Sequence, residues 1–408
     1  MKIKIILPFI AVLLLSFTAS EQQIITIFMV GDSTMANKPL DGRNPERGWG
    51  QVLGGYFDES IRIDNHAVNG RSSKSFIDEG RWETVRQKIR PGDYVFIQFG
   101  HNDEKTDSAR HTDPGTTFDA NLRRMAEEAI AAGATPVLFN SIVRRNFAHN
   151  PDAVANDDFR KAHLADIVEG DSLIETHGEY LASPRKVAAE LGLTFIDLNM
   201  STRNYVQQLG SKKSKSMYVW IPKGKCPAYP DGRQDNTHLN VSGARRVAAM
   251  AIDSIEAKIP ELAKHIVRYD FVVAQDGSGD FFSLQQAIDA TANYSENQIN
   301  IRVRRGVYDE QITIPENKQN LTLVGDNGAI IRYESAGNET VAGSATMFVY
   351  APNFVARNLT IENATQTDGD APAVLLGQSA TASKFDNCTL TGGAFTLAKG
   401  KLKAVDVK

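Results

Sequence analysis

The segment IITIFMVGDST, residues 24–34, decides the class of the amino-terminal fold. Its β-branched and apolar residues end in glycine and small polar residues, which predicts a strand over Ile24–Val30 that leads into a loop. Ser33 therefore stands where a buried strand ends, and the loops of a parallel sheet gather at that edge. By itself, Gly31-Asp32-Ser33-Thr34 is also compatible with ordinary turn chemistry.

Four more strand-like runs follow, separated by amphipathic stretches, and this alternation predicts a parallel sheet with helices on both faces. The expected strands are Ile61–Val68, Tyr94–Phe99, Thr135–Asn140 and Thr194–Leu198. Helices are expected over Phe118–Ala132, from its apolar spacing, and over about Ser242–Lys258, capped by Ser242 and ending before Pro260.

Polar motifs recur at the ends of these strands. Asn69-Gly70-Arg71 follows the second strand, Gly100-His101-Asn102-Asp103 follows the third, and Asp235-Asn236-Thr237-His238 precedes the last helix. Because the carboxyl ends of parallel strands meet at one edge of a sheet, we expect these segments to lie close to Ser33.

Together these residues carry the groups that acyl transfer needs. His238 suits a general base that activates the Ser33 hydroxyl, and Asp235 would hold the imidazole in the useful tautomer. The backbone N–H groups of Ser33 and Gly70 and the side-chain amide of Asn102 would stabilise the oxyanion.

Each residue also has an ordinary structural interpretation. Asp235 could cap a turn, His238 could be a surface histidine, and Asn102 could form an Asx turn. Their joint occurrence in this order is harder to explain by turn chemistry, so the pattern favours a catalytic site.

Residues 24–258 resemble the SGNH (GDSL-like) hydrolases, and more closely the rhamnogalacturonan acetylesterases, in the four motifs quoted above. The resemblance implies a flavodoxin-like α/β three-layer sandwich. It also implies a triad of Ser33, His238 and Asp235, an oxyanion hole from Ser33, Gly70 and Asn102, and an acetyl ester on pectic rhamnogalacturonan as substrate.

Four basic residues follow the same strands and are candidates for binding an acidic polysaccharide: Arg71, Lys74, Arg144 and Arg145. Arginine can hold a carboxylate through two parallel hydrogen bonds. The alternative is a solvated positive rim without a binding role. His66, His101 and His177 lack the close ligand spacing of a metal site, so we expect neither a metal nor a cofactor.

After Pro260 the helical periodicity fades, and short β-rich runs with Gly and Asn turns continue to Gly393. Three segments resemble one another: Asn320-Leu321-Thr322-Leu323, Asn358-Leu359-Thr360-Ile361 and Asn387-Cys388-Thr389-Leu390. Repeated short strands predict the stacked coils of a parallel β-helix. An antiparallel sandwich stays open as an alternative.

In the four segments Asp276–Asp280, Gly306–Glu310, Leu323–Asp326 and Asn358–Asn363, residues 270–392 resemble the amino-terminal part of pectin methylesterases. That resemblance implies a partial right-handed parallel β-helix. The first segment lacks the Lys-Ser/Thr of a phosphate loop and is better explained as a turn before a short helix.

The resemblance fails where the methylesterase chemistry belongs. Those enzymes carry Gln-Asp-Thr-Leu-Tyr near Gly393, whereas this sequence has Gly393-Ala394-Phe395-Thr396-Leu397 followed by a Lys-rich segment to Lys408. We expect a truncated domain without methylesterase activity and with an unpaired end, for which carbohydrate binding is the remaining role.

The first twenty residues predict export, because Lys2 and Lys4 precede an apolar run to Phe17 and then small residues. A permanent anchor is the weaker alternative, because the run is short for a bilayer. We therefore expect a secreted or periplasmic protein, without stable membrane insertion after cleavage. Two cysteines, Cys226 and Cys388, cannot make a disulfide framework, although a single cross-link stays open.

The 408 residues exceed what one core supports, and we divide them into five parts. These are a signal peptide (1–20), a hydrolase domain (21–260), a linker (261–269), a methylesterase-like domain (270–392) and an atypical tail (393–408). A net charge of −4 gives no broad positive field for nucleic acid.

The expected function is that of an exported serine esterase that removes acetyl groups from pectic rhamnogalacturonan through an acyl-enzyme. Two alternatives stay open. One is an acetylesterase acting on another glycan such as xylan, or on a lipid ester, and the other is a non-catalytic pectin-binding protein.

Overall fold

The computed structural model describes residues 24–148, 170–335, 340, 342–365, 371–398 and 401–404. The predicted signal peptide, residues 1–20, lies outside the described residues. Among the described residues, none of the helices combines the length and the apolar character that crossing a bilayer would require.

The first region is built on a five-stranded parallel sheet, as the sequence predicts. In sheet order its strands are β2 (Ile61–Asn65), β1 (Ile25–Gly31), β3 (Tyr94–Gln98), β4 (Thr135–Phe139) and β7 (Thr194–Ile196). The chain reverses its winding direction between β1 and β3, and ligands bind doubly wound sheets at the carboxyl end of such a switch point. Two antiparallel pairs lie outside this sheet: β5 (Phe147–Ala148) with β6 (Ser172–Leu173), and β8 (Tyr218–Ile221) with β9 (Arg233–Leu239).

Helices cover both faces of the sheet, because its central strands are apolar on both sides. In β1, Ile27 and Met29 join the core on one face, and Phe28 and Val30 join the core on the other. The first core includes α1 (Trp49–Val52), α6 (Leu198–Lys213), α7 (Val241–Lys258) and α8 (Pro260–Ala263). The second includes α2 (Ser73–Asp78), α3 (Arg81–Arg86), α4 (Thr117–Ala131) and α5 (Ala182–Leu191).

The predicted strands begin within one residue of the observed ones, whereas their ends are less accurate. The second predicted strand extends to Val68, but β2 stops at Asn65. The predicted cap of the last helix is also wrong. Asn240 caps α7, since its Oδ1 accepts from the Gly243 N–H at 2.9 Å, and Ser242 lies inside the helix.

The second region consists of three sheets, each of which takes every third strand along most of its length. The first contains β10 (Phe271–Val273), β11 (Ile299–Val303), β14 (Leu321–Gly325), β17 (Val355–Arg357) and β20 (Lys384–Asp386). The second contains β12 (Gly306–Asp309), β15 (Ala329–Tyr333), β18 (Thr360–Asn363) and β21 (Thr389–Thr391). The third contains β13 (Ile312–Ile314), β16 (Met347–Val349), β19 (Val374–Leu376), β22 (Ala394–Ala398) and β23 (Lys401–Ala404). A short helix, α9 (Leu284–Ala290), packs on the same core.

Strands in these sheets pair in parallel, apart from β22 with β23, so the antiparallel sandwich is wrong. Of the three similar segments, those at Asn358 and Asn387 are equivalent, because Thr360 pairs with Thr389. The segment at Asn320 belongs to a different sheet. Its likeness reflects a shared turn requirement, since all three asparagines have positive φ.

The end of the third sheet differs from the unpaired end that the sequence suggested. Within the Lys-rich segment, residues 401–404 form β23, which pairs antiparallel with β22. Such pairing satisfies backbone groups that an open strand edge would leave exposed.

Arginines with little solvent exposure join the two regions, Arg302 being buried and Arg245 partly buried. Arg302 on β11 pairs with Asp326 at 2.7 Å and donates to the carbonyl oxygens of Phe57 at 2.5 Å and Gly55 at 3.3 Å. On the other side of the contact, Arg245 of α7 pairs with Asp280 at 2.8 Å. Charged side chains with little exposure to solvent therefore hold the second region against the first.

Replacing Arg302 by Met should lower the free energy of unfolding by about 2 kcal/mol, because the Phe57 carbonyl oxygen loses its buried donor and Asp326 loses one of its two arginine partners, Arg304 being the other. Urea unfolding followed by fluorescence measures the change. Arg305→Met is the matched control, since exposed Arg305 donates only to the Asn327 carbonyl oxygen. Equal effects of the two substitutions would contradict this account of the contact.

Candidate active site

The turn after β1 places Ser33 at the carboxyl edge of the sheet. Gly31 is required there, because a Cβ would lie 2.7 Å from the Gln98 carbonyl oxygen. Asp32 then closes the turn, since its Oδ1 accepts from the N–H of Thr34 at 2.9 Å and from its Oγ1 at 2.8 Å. Ser33 is left with 8% of its surface exposed, at the bottom of the edge where the loops meet.

His238 and Asp235 lie on β9, which brings them to Ser33 from the far end of the domain. His238 Nε2 is 2.9 Å from Ser33 Oγ, and His238 Nδ1 is 2.8 Å from Asp235 Oδ2. The three predicted residues therefore form one hydrogen-bonded series, in the arrangement that lets an imidazole take the serine proton.

Asp235 combines the structural and the functional interpretations. Its Oδ1 closes a turn by accepting from the N–H groups of Thr237 at 2.8 Å and His238 at 2.9 Å, while Oδ2 faces the imidazole. Burial opposes ionisation of this carboxyl group, but hydrogen bonds and charge from His238 and Arg233 outweigh it and hold the pKa well below its usual range. The carboxylate is thus charged at neutral pH.

The two other predicted segments converge beside this series. Gly70 has φ +75°, and a Cβ there would meet nothing within 4 Å, so its backbone faces open space. The Asn102 side-chain amide donates to the Arg71 carbonyl oxygen at 3.1 Å, which joins its loop to the Gly70 turn. Asn102 is 7% exposed. Two of the three donors predicted for an oxyanion hole, the Gly70 N–H and the Asn102 amide, therefore lie on loops that are joined to each other.

Asp103 is fully buried and holds these loops together through its hydrogen bonds. It accepts from the Ser73 N–H at 2.9 Å, the Gly100 N–H at 3.0 Å and the Thr112 Oγ1 at 3.0 Å, and also from Ser73 Oγ. Burial raises the pKa of Asp103 to about 7, against the opposing effect of the Ser73 hydrogen bonds.

The four basic residues proposed as substrate contacts divide into two pairs. Arg71 and Lys74 are about one-third exposed and pair with Glu79 and Asp78, respectively. They remain accessible from solvent.

Arg144 and Arg145 differ from that expectation, because each is 1% exposed and neither forms a solvent-facing rim. Arg144 pairs with Glu104 and donates to the His101 carbonyl oxygen at 3.2 Å. Arg145 donates to Asn236 Oδ1 at 3.0 Å. Arg144 therefore supports the loop that carries Asn102, and Arg145 supports strand β9, which carries His238.

The histidines that were considered for metal binding lie in two places. His101 and His177 are 2.9 Å apart between ring nitrogens, and His177 Nδ1 meets Glu175 Oε1 at 2.6 Å. Burial raises the pKa of Glu175, but the His177 hydrogen bond and charge lower it to about 2. His66 pairs with Asp64 instead. In the part of the chain that the structure describes, no three potential ligands form a metal-binding group.

Four residues that form a connected group reaching Asp235 through Arg233 were not predicted: Lys38, Glu46, Tyr229 and Arg233. Arg233 could have been found, because it lies two residues before Asp235 on the same strand, where alternate side chains share a face. The contact of Lys38 with Glu46 depends on the path of a loop, and no spacing in the sequence indicates it.

Comparisons with known proteins agree with both motif-based resemblances. Residues 29–246 match the GDSL-like Lipase/Acylhydrolase family, and residues 270–399 match the Pectinesterase family. Over 243 residues the chain is 37% identical to the rhamnogalacturonan acetylesterase RhgT of Bacillus subtilis (strain 168), which covers 60% of this chain and 94% of that protein.

Similarity in the second region is to parts of longer proteins. The chain is 35% identical over 136 residues to the pectinesterase/pectinesterase inhibitor PPE8B of Prunus persica, covering 32% of this chain and 26% of PPE8B. A crystal structure of the YxiM protein from Bacillus subtilis is similar to a longer part of the chain than this second region, with 26% identity and a TM-score of 0.44, covering 57% of this chain and 56% of that one. The chain thus belongs to the GDSL-like lipase/acylhydrolase family, is a carboxylic ester hydrolase, and joins that domain to a pectinesterase-family region.

Proposed function

We propose that this hydrolase removes acetyl groups from pectic polysaccharide of the rhamnogalacturonan type. The observation that carries the proposal is the hydrogen-bonded series from Ser33 through His238 to Asp235, in a domain 37% identical to a rhamnogalacturonan acetylesterase. Arg71 and Lys74, at the accessible side of the Gly70 turn, favour an acidic polymer.

In the proposed reaction Ser33 Oγ attacks the acetyl carbonyl carbon, while His238 Nε2 takes the hydroxyl proton. The N–H groups of Ser33 and Gly70 and the Asn102 amide stabilise the oxyanion. The bond to the sugar oxygen then breaks, and that oxygen takes the proton from His238. Water, activated by His238, hydrolyses the acetyl-Ser33 ester and releases acetate.

For the second region we propose the fold of a partial right-handed parallel β-helix, with the three sheets as its faces. Its strand order supports this, since successive strands pass from one sheet to the next. We propose no methylesterase activity for it, because Gly393-Ala394-Phe395 stands where pectin methylesterases carry Gln-Asp. Binding of pectic carbohydrate is its proposed role.

The proposed place of action is outside the cytoplasm, either secreted or periplasmic. The support is the sequence of residues 1–20, in which two lysines precede an apolar run and small residues.

A substrate panel tests the proposed specificity. The protein is incubated with acetylated rhamnogalacturonan, acetylated xylan and a short-chain lipid ester, and the acids released are measured. We expect kcat/KM for rhamnogalacturonan to exceed the other two at least tenfold. Faster hydrolysis of xylan or lipid ester would instead support the alternative substrates, and no hydrolysis of any ester by folded protein would support a binding role.

A further inference from the structure

A series of alternating charges leads to Asp235 from the interior of the domain. Buried Lys38 and Glu46 form an ion pair with 2.8 Å between Nζ and Oε1. Glu46 Oε2 lies 3.4 Å from Nη1 of Arg233. Arg233 in turn meets Asp235 Oδ2 through Nε at 3.1 Å and Nη2 at 2.5 Å. We call Lys38, Glu46 and Arg233 the charge array.

Further hydrogen bonds fix the geometry of the charge array. The Tyr229 hydroxyl donates to Glu46 Oε2 at 3.0 Å and accepts from Arg233 Nη1 at 3.1 Å. Lys38 Nζ donates to Asn69 Oδ1 at 2.6 Å, which links the array to the Gly70 turn. The array therefore contacts both the strand that carries His238 and a loop proposed for the oxyanion hole.

Arg233 shares the Asp235 oxygen that faces the imidazole. Its Nη2 is also 3.4 Å from His238 Nδ1. A carboxylate held by two donors on one oxygen has little freedom to rotate, so Arg233 fixes the direction from which Asp235 meets His238. In addition, its positive charge opposes a second positive charge on the ring.

Charges on several elements face His238. Asp32 after β1 and Glu46 in the following loop interact electrostatically with it, as does Asp235 on its own strand. Burial raises the pKa of Glu46, but Lys38, His238 and Arg233 together lower it below its ordinary value. Burial lowers the pKa of Lys38, and its pairing with Glu46 opposes that change.

We propose that the charge array positions Asp235 and sets the electrostatic balance against which His238 takes up a proton. Arg233 and Glu46 are positioning residues in this proposal, which rests on the proposed triad. Their charges act on the imidazolium with opposite signs, since Arg233 opposes it and Glu46 favours it, while both residues support catalysis by holding Asp235 in place. Buried ion pairs contribute little to stability on average, so a role in catalysis explains the array better than stability does.

The test is the pH profile of kcat/KM for acetate release by Arg233→Met and Glu46→Gln. Arg233→Met removes a positive charge, which favours the imidazolium and moves the acid limb to higher pH by about half a unit or more. Glu46→Gln removes a negative charge and moves the limb to lower pH by a similar amount. In both variants we expect kcat to fall about tenfold while KM changes little, because the array acts through its contact with Asp235.

Two more variants separate the effect of the side-chain charge from the effect of the hydrogen-bond geometry. Arg233→Lys keeps the charge but loses the two-point contact, so we expect the wild-type acid limb with reduced kcat. The double variant Lys38→Met/Glu46→Gln removes opposite charges together and should return the limb close to wild type. It also avoids leaving Lys38 buried without a partner if Glu46→Gln folds poorly.

Controls are Arg268→Met and Glu83→Gln, which should retain the wild-type profile. The first disrupts the exposed ion pair of Arg268 with Glu256 on α7, and the second disrupts the exposed ion pair of Glu83 with Arg86 on α3. Acid limbs that do not move, or that move in the same direction in Arg233→Met and Glu46→Gln, would overturn the proposal. Failure of the underlying triad is recognised separately, because Ser33→Ala would then retain acetate release while the wild-type protein is active.

Discussion

Replacing Ser33 by Ala should lower kcat for acetate release by about 10⁴-fold or more, because it removes the atom that forms the acyl-enzyme. The substitution removes only the hydroxyl group, whose hydrogen-bond partner is His238 Nε2 at 2.9 Å. Initial rates with p-nitrophenyl acetate measure the loss, since the activated ester needs no polysaccharide recognition.

Two comparisons make the Ser33 result specific. Ser216→Ala is the matched control, because that exposed hydroxyl donates to the Lys213 carbonyl oxygen and should leave kcat unchanged. The thermal midpoint of Ser33→Ala should stay close to that of the wild type. A folded variant that keeps more than a tenth of the activity would show that Ser33 is not the nucleophile.

Asp235→Asn should lower kcat by about 10³–10⁴-fold, because an amide cannot stabilise the imidazolium and favours the wrong ring tautomer. The substitution also places an uncharged group against Arg233. In the unsubstituted protein, Arg233 Nη2 lies 2.5 Å from Asp235 Oδ2. Single-turnover rates measured at several pH values test the effect on the chemical step.

Asp231→Asn is the control for this substitution, since Asp231 lies just before strand β9, which carries Asp235, and its side chain is 89% exposed. We expect its rates to equal those of the wild type. If Asp235→Asn changed KM but not kcat, Asp235 would contribute to substrate binding and not to orientation of the imidazole.

Much of the first region could be predicted because local patterns determine it. Apolar runs gave the five strands, and the polar motifs after them share one edge since parallel strands end together. The positions of Ser33, Gly70, Asn102 and His238 along the chain therefore predicted that these residues lie near one another. Ser33, His238 and Asp235 are indeed in hydrogen-bond contact.

What could not be predicted depends on tertiary packing. The sequence suggested that Arg144 and Arg145 are exposed and accessible to substrate. They are buried instead, because residues distant in the sequence, such as Thr176 and Ser214, supply acceptors for their guanidinium groups. Glu46 and Lys38 likewise meet through a loop path that no periodicity encodes. Charge in a sequence indicates a surface only when no buried partner exists for it.

The second region shows the same limit in its repeats. The similar segments at Asn320 and Asn358 belong to different sheets, because a positive φ selects asparagine wherever the chain turns sharply. A short motif of this kind reports a local backbone conformation and not a position in the coil. The repeats predicted parallel pairing without excluding an antiparallel sandwich, and the strand register decides between the two in favour of parallel pairing.

The most direct test of the central claim measures acetate and methanol in the same tubes. Wild-type protein and Ser33→Ala are each incubated with rhamnogalacturonan that carries both acetyl and methyl esters. The account predicts acetate without methanol from the wild type, and neither product from Ser33→Ala. Acetate from Ser33→Ala would contradict the proposed nucleophile, and methanol from either protein would contradict the proposed inactivity of the pectinesterase-family region.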